Sequence, residues 1–247
     1  MAQLSKIEWT QSSWNPVTGC TKISLGCKYC YAESLAHRLQ KMGQRRYRNG
    51  FRVTLHPDLI DKPLEWKKPK LIFVNSMSDL FHEKIPDNFI IKIFETMQLA
   101  HWHTFQILTK RAARLSRLSP ILDWPDNVWM GVTVESEKEI FRLKELQKVP
   151  AAVRFVSMEP LLGPIPNSPY KNIDWVIVGG ESGPKARPME KEWAIQIRNR
   201  CHQNNIPFFF KQWGGFRKKE NGSLLEGKYY NEYPAAHKGV VQYAPTM

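Results

Sequence analysis

The chain reads as an α/β protein built on a (β/α) barrel, closed or partial, and three observations predict this. Short apolar runs alternate with amphipathic helical stretches along most of the 247 residues. Most of the runs are continuously apolar, as parallel strands covered on both faces require. Seven or eight runs separated by helices is the count of a barrel.

In chain order, residues 7–9 are the candidate opening strand. Runs at 53–55, 71–74, 105–108 and 128–132 follow, then 153–156, 175–178 and 207–210. Residues 86–101 read as a capped helix with Phe89, Ile90, Ile93, Phe94 and Met97 on one face. Similar helical stretches cover 111–122, 137–147 and 190–203. With no tandem repeat and no low-complexity linker, residues 1–213 form one barrel carrying a cysteine loop at 14–33. Gly214, Gly215, Gly222 and Gly227 punctuate the remaining residues, 214–247, which read as an extension or a lid.

Hydrophobic residues make up 42% of the chain, enough for a sizeable core. No run approaches the roughly 20 apolar residues of a membrane span. The first ten residues lack the apolar segment of a secretion signal. Four cysteines grouped three to one make no disulfide framework, so a reducing, cytoplasmic setting is expected. Lys and Arg number 36 against 23 acidic residues, a formal charge of +13. Such an excess attracts polyanions. Arg45, Arg46 and Arg48 interleave with Tyr47 and Phe51, a pattern that suits nucleic acid: arginines take phosphates while rings stack on bases. A merely solvated basic face is the plainer alternative.

Cys20, Cys27 and Cys30 fall in one short stretch, and Cys201 lies far away. Soft thiolates gathered this closely suit zinc or iron. Three thiolates leave one iron of a cubane cluster open to a small molecule, whereas structural zinc needs a fourth ligand, for which His37 is available. A redox pair made of Cys27 and Cys30 is a third reading. In a barrel, chemistry sits at the C-terminal strand ends. Carboxylates recur there: Asp79, Glu135, Glu159 and Glu181 each follow an apolar run. They predict a shared polar site at the barrel mouth.

The cysteine loop followed by a helix and a barrel resembles the radical S-adenosylmethionine superfamily, whose fold is TIM-barrel-like. The family's spacing is C-x3-C-x2-C with an aromatic residue before the last cysteine. Tyr29 fills that place within Cys27-Lys28-Tyr29-Cys30, while Cys20 stands six residues before Cys27 instead of three. Up to Trp213 the chain is similar to a phage- and prophage-borne family with this wider spacing, through Trp-Asn-Pro-Val-Thr-Gly-Cys, Asn-Ser-Met-Ser-Asp-Leu-Phe-His, Ser-Met-Glu-Pro-Leu-Leu-Gly and Gly-Gly-Glu-Ser-Gly. Within the superfamily it looks nearest to spore photoproduct lyase, which acts on DNA. The resemblance implies a 4Fe–4S cluster on Cys20, Cys27 and Cys30, with S-adenosylmethionine cleaved there. Tyr29, Asn75, Ser76, Asp79, Glu135 and Glu159 are the implied cofactor-side residues. A reducing partner such as flavodoxin or ferredoxin would supply the electron, and nucleic acid or a nucleotide component would be the substrate. The alternative is a non-catalytic nucleic-acid-binding protein whose three cysteines hold a structural metal.

Overall fold

The computed structural model describes residues 3–5 and 7–235. The strands are β1 (Gln3–Leu4), β2 (Ser12–Trp14), β3 (Val17–Thr18), β4 (Thr54–Leu55), β5 (Leu71–Val74), β6 (Thr104–Thr109), β7 (Val128–Thr133), β8 (Val153–Met158), β9 (Trp175–Gly179) and β10 (Phe208–Gln212). The helices are α1 (Tyr31–Lys41), α2 (Asp87–Leu99), α3 (Ala112–Leu118), α4 (Phe141–Leu146), α5 (Lys191–Gln203) and the short α6 (Lys218–Asn221).

Seven parallel strands form one curled sheet in the order β2-β5-β6-β7-β8-β9-β10, and β1 adds antiparallel to β2. β2 and β10 do not meet, so the barrel is partial. Two expected strands are corrected. Residues 7–9 form a turn, Thr10 donating to the Ile7 carbonyl at 3.3 Å, and β2 takes the opening place. Thr54–Leu55 pairs with Val17–Thr18 in a separate two-stranded antiparallel sheet. Three-residue segments carry too little pattern to tell a strand from a turn that buries one ring.

Successive residues of each strand face opposite sides, and the chain uses both faces. Outward residues such as Ile107, Met130, Val156, Val178 and Phe210 pack with Ile90, Phe94, Leu115 and Ile197 of the covering helices. Inward residues Phe73, Trp129, Phe155, Trp175 and Phe209 fill the lower lumen. Trp9 plugs the same space, its ring 4.7 Å from that of Phe73 and 6.3 Å from that of Trp175. Gly131 has no Cβ because one would collide with the Phe155 ring. Residues 230–232 run along the free edge of β10: Phe210 donates to the Tyr230 carbonyl at 2.8 Å, and Asn231 bridges Phe209. This backbone pairing covers an edge that would otherwise be open. The expected extension ends at 247, and its residues 236–247 lie outside the described ones.

Candidate active site at the barrel mouth

Moving up β7, β8 and β10, the inward series changes from aromatic to polar, whereas β6 turns Gln106 inward below and Leu108 above. On β8 it runs Val153, Phe155, Ser157 and then Glu159; on β7 it runs Trp129, Gly131 and Thr133. Above the aromatic plug lies a cavity of about 230 Å³ at the C-terminal strand ends. Lys110, Thr133, Ser157, Glu159, Lys211 and Gln212 line it, and Cys27, Tyr29 and Cys30 border it. A β-bulge between Phe210 and Gln212 lets the neighbouring residues Lys211 and Gln212 both reach it.

Lys211 ion-pairs with Glu159 at 2.9 Å and lies 3.7 Å from Glu8. Burial works against its charge, but the two carboxylates outweigh burial and hold the ammonium above lysine's ordinary pKa. Three buried polar atoms around this cavity lack a protein partner: Trp9 Nε1, Thr133 Oγ1 and Gln212 Oε1. They offer a donor, a hydroxyl and an acceptor whose desolvation a polar ligand would offset.

The cysteine loop is held over this cavity by ion pairs rooted at the strand ends. After β6, Arg111 donates to the Thr21 carbonyl at 3.1 Å and to Thr21 Oγ1 at 2.9 Å, and is itself paired with Glu83. After β7, Glu135 accepts from Ser24 Oγ at 2.6 Å and from Arg142 at 2.7 Å. A Cβ on Gly26 would run into the Glu135 carboxyl, so glycine is required at that close approach. After β9, Glu181 binds Arg187, which donates to the Leu25 carbonyl at 3.0 Å. All three attachments grip the six-residue spacer between Cys20 and Cys27. Helix α1 then starts directly after Cys30.

All four cysteines are free thiols, with Cys201 buried in α5. The three in the loop are soft donors of the kind a three-thiolate cluster uses, so the donor chemistry fits. They do not form a preformed cage: among the described residues no group of three or more His, Cys, Asp or Glu converges as a metal-holding set. Cys27 and Cys30 border the mouth cavity, whereas Cys20 faces a neighbouring groove, with Arg111 at 3.9 Å from its sulfur. Burial, and after it the Asp79 carboxylate, push the Cys20 thiol up to about 11 against the opposing pull of Arg111.

Of the expected cofactor-side residues, Tyr29 and Glu159 line the cavity. The others hold backbone or neighbouring side chains. Asp79 accepts from Phe81 N at 3.0 Å, Thr109 Oγ1 at 2.7 Å and Lys110 N at 3.0 Å. Asn75 adopts φ +62°, a conformation asparagine tolerates, and its Oδ1 accepts from Val17 N at 3.3 Å. Ser76 donates to Asn15 Oδ1 at 3.2 Å, and its carbonyl accepts from the Tyr31 hydroxyl at 2.6 Å. Glu135 is committed to Ser24 and Arg142, with Lys110 Nζ 3.8 Å away. Arg46 pairs with Asp58 at 2.9 Å, and Tyr47 and Phe51 rest against the Ala32, Ala36 and Met77 cluster. Arg45 and Arg48 stay exposed. Sequence reasoning missed Arg142, Arg187 and the Trp9 plug. Only the pairing of strand-end carboxylates with later arginines could have signalled the first two, and pairing across the fold leaves no local period.

The model of the family described as "Protein of unknown function (DUF5131)" matches residues 4–234, and the chain belongs to that family. A search of the curated proteins finds no match. Among solved structures the chain is similar to spore photoproduct lyase. A cysteine-to-serine mutant of that protein matches with a TM-score of 0.51 and 13% identity over 75% of this chain and 60% of that one. Two more match with TM-scores of 0.50 and 13% identity, over 81% of this chain and 63% of theirs. One is a double mutant with bound AdoMet and dinucleoside spore photoproduct, the other a complex with dinucleoside spore photoproduct. The likeness is one of fold, and this chain spans about three-fifths of the length of those it matches.

Proposed function

We propose that this DUF5131 family member is a radical S-adenosylmethionine enzyme that modifies or repairs nucleic acid or a nucleotide component. One observation carries the reading: Cys27 and Cys30 border a polar cavity at the C-terminal mouth of a half-barrel, on a loop whose third thiol is Cys20. Cys20, Cys27 and Cys30 would hold a 4Fe–4S cluster; when bound there, it would supply the electron and the open iron for reductive cleavage of S-adenosylmethionine. All three would bind the metal as thiolates, so uptake would release their protons.

The chain's own residues do the remaining work. Lys110, Lys211 and Glu159 present two cations and a carboxylate to a zwitterionic cofactor or a polar substrate. Tyr29 covers the cavity from the loop side, beneath the Arg187 guanidinium 5.4 Å from its ring. The aromatic plug closes the lower lumen and keeps water from entering beneath the reacting atoms. Asp79 and Glu135 position backbone and loop. The fold neighbour holding AdoMet and a dinucleoside photoproduct supports this reading. A flavodoxin- or ferredoxin-type donor in a reducing, cytoplasmic setting would complete it.

Protein purified without oxygen should be brown, with about four irons and four sulfides per chain. Alanine at Cys20, Cys27 or Cys30 should abolish the iron, while Cys201→Ala should keep it. Reduced protein mixed with S-adenosylmethionine should release 5′-deoxyadenosine. Stoichiometric zinc without iron, or a reducible cluster that never cleaves the cofactor, would sink the reading.

A further inference from the structure

Most arginines of this protein fall into two populations; Arg117, exposed on α3 without a side-chain partner among the described residues, belongs to neither. Around the barrel, Arg111, Arg114, Arg142, Arg187 and Arg198 are each paired with a carboxylate, and Arg154 and Arg200 donate to backbone carbonyls. Near α1 the pattern reverses. Among the described residues, Arg38, Arg45, Arg48 and Arg52 make no side-chain hydrogen bond or ion pair, and all four are exposed. An exposed guanidinium without a local carboxylate is free to take an anion bidentately.

These four are not scattered. Three open grooves adjoin around α1 and the cysteine loop. The first, about 890 Å³, is lined by Arg45, Tyr47 and Arg48. The second, about 780 Å³, shares Arg48 with it and adds Phe51, Arg52, Lys84 and Cys20. The third, about 720 Å³, shares Glu33 with the second and adds Lys28, Arg38 and Lys185 beside Tyr29, Cys30 and Tyr31. It borders the mouth cavity, sharing Tyr29, Cys30, Tyr31 and Ser182 with it. Glu33 is neutralised by Lys22 at 2.7 Å. The row therefore offers cations in succession, a ring in each groove, and an end at the proposed reaction centre.

We infer that the three grooves form one track for a single-stranded nucleic acid. Its phosphates lie on Arg45, Arg48, Arg52 and Lys84, and its far end is delivered past Arg38 to the mouth between Tyr29 and Tyr31. Arg46 is excluded from the track because Asp58 already holds it. A single strand fits better than a duplex. The cavity at the end, about 230 Å³, admits one unstacked unit, and half-buried rings lie within the grooves where successive bases can stack. The inference rests on the nucleic-acid part of the proposed function, but binding along the grooves needs no metal.

The test is fluorescence anisotropy of a labelled 15-nucleotide single strand against full-length protein, across a salt series. Each phosphate contact on a single strand contributes a slope of about −0.7 in log affinity against log salt. The triple variant Arg45→Gln/Arg48→Gln/Arg52→Gln should flatten that slope by about two units. Arg117→Gln, an exposed arginine on α3 that lines none of the grooves, should leave it unchanged. Equal losses in the triple variant and in the Arg117 control would overturn the track, as would preferential binding of the same sequence as a duplex. Binding to phosphatidylserine vesicles with none to the oligonucleotide would overturn it as well. The two readings fail separately: 5′-deoxyadenosine production with an unaltered salt slope removes the track and leaves the enzyme. A flattened slope in protein that cleaves no cofactor keeps the track and removes the enzyme.

Discussion

The lower lumen and the mouth are built from the same strands, a few residues apart, and they follow opposite rules. Below, Trp9, Phe73, Trp129, Phe155, Trp175 and Phe209 fill the space with rings at 4.7–6.3 Å centroid separation. Above, the next inward positions are Thr133, Ser157, Glu159 and Lys211, surrounding a cavity with three unpartnered polar atoms. The lower half holds the sheet curled. The upper half gathers polar side chains around an open cavity, where a polar ligand would partner atoms such as Thr133 Oγ1 and Gln212 Oε1.

Substitutions should separate the two halves, and the largest effect is expected below. Phe155→Ala removes a fully buried ring and should cost about 3–5 kcal/mol in urea unfolding, with an unchanged m-value. A cost under about 1 kcal/mol would mean that the lumen collapses easily and that the contrast with the mouth is false. Gly131→Ala tests the same packing from the other side. Its Cβ would enter the Phe155 ring, and overpacking of this kind costs about 1–3 kcal/mol.

Acid should act at a third place, on two buried histidines outside the mouth. Burial depresses the pKa of His56, helped by Arg46, and burial likewise depresses that of His103. Both are neutral in the folded protein. The unfolded chain takes up their protons first as pH falls below the ordinary value of 6.5. Stability is therefore fully present above pH 6.5 and is lost as pH falls towards the lower folded pKa values. Thermal midpoints should drop between pH 7 and pH 5, and the part due to His103 should vanish in His103→Gln. An unchanged pH dependence in that variant assigns the loss to other groups.

The smallest stability effect is expected at the mouth. Thr133 is buried and its hydroxyl has no partner, so Thr133→Val should be neutral or stabilising by about 1 kcal/mol. The same variant should weaken whatever polar ligand fills the cavity, read as a raised Kd for S-adenosylmethionine or the oligonucleotide. A substantial loss of stability would show that the hydroxyl serves the fold and that the mouth is ordinary core.

The sequence by itself determined the layer order, because continuous apolar runs such as 105–108 and 175–178 have one stable use, as strands covered on both faces. It also placed Cys20, Cys27 and Cys30 in one loop, and set the polar residues Asp79, Glu135, Glu159 and Glu181 after strands, since these are facts of chain order. Tertiary structure alone decided what those carboxylates do. Asp79 holds backbone, Glu135 holds the loop through Ser24 and lies 3.8 Å from Lys110, Glu181 holds the loop through Arg187, and Glu159 pairs with Lys211 on the cavity wall. It likewise decided that Trp9 is a plug, that residues 54–55 leave the barrel, and that Arg46 is spent on Asp58 while Arg45, Arg48 and Arg52 remain free. Each depends on a partner distant in the chain, such as Glu135 with Ser24 or Glu159 with Lys211, or on the curl of the sheet. A period of two or 3.6 reports only which face a residue takes, never which distant side chain it meets there.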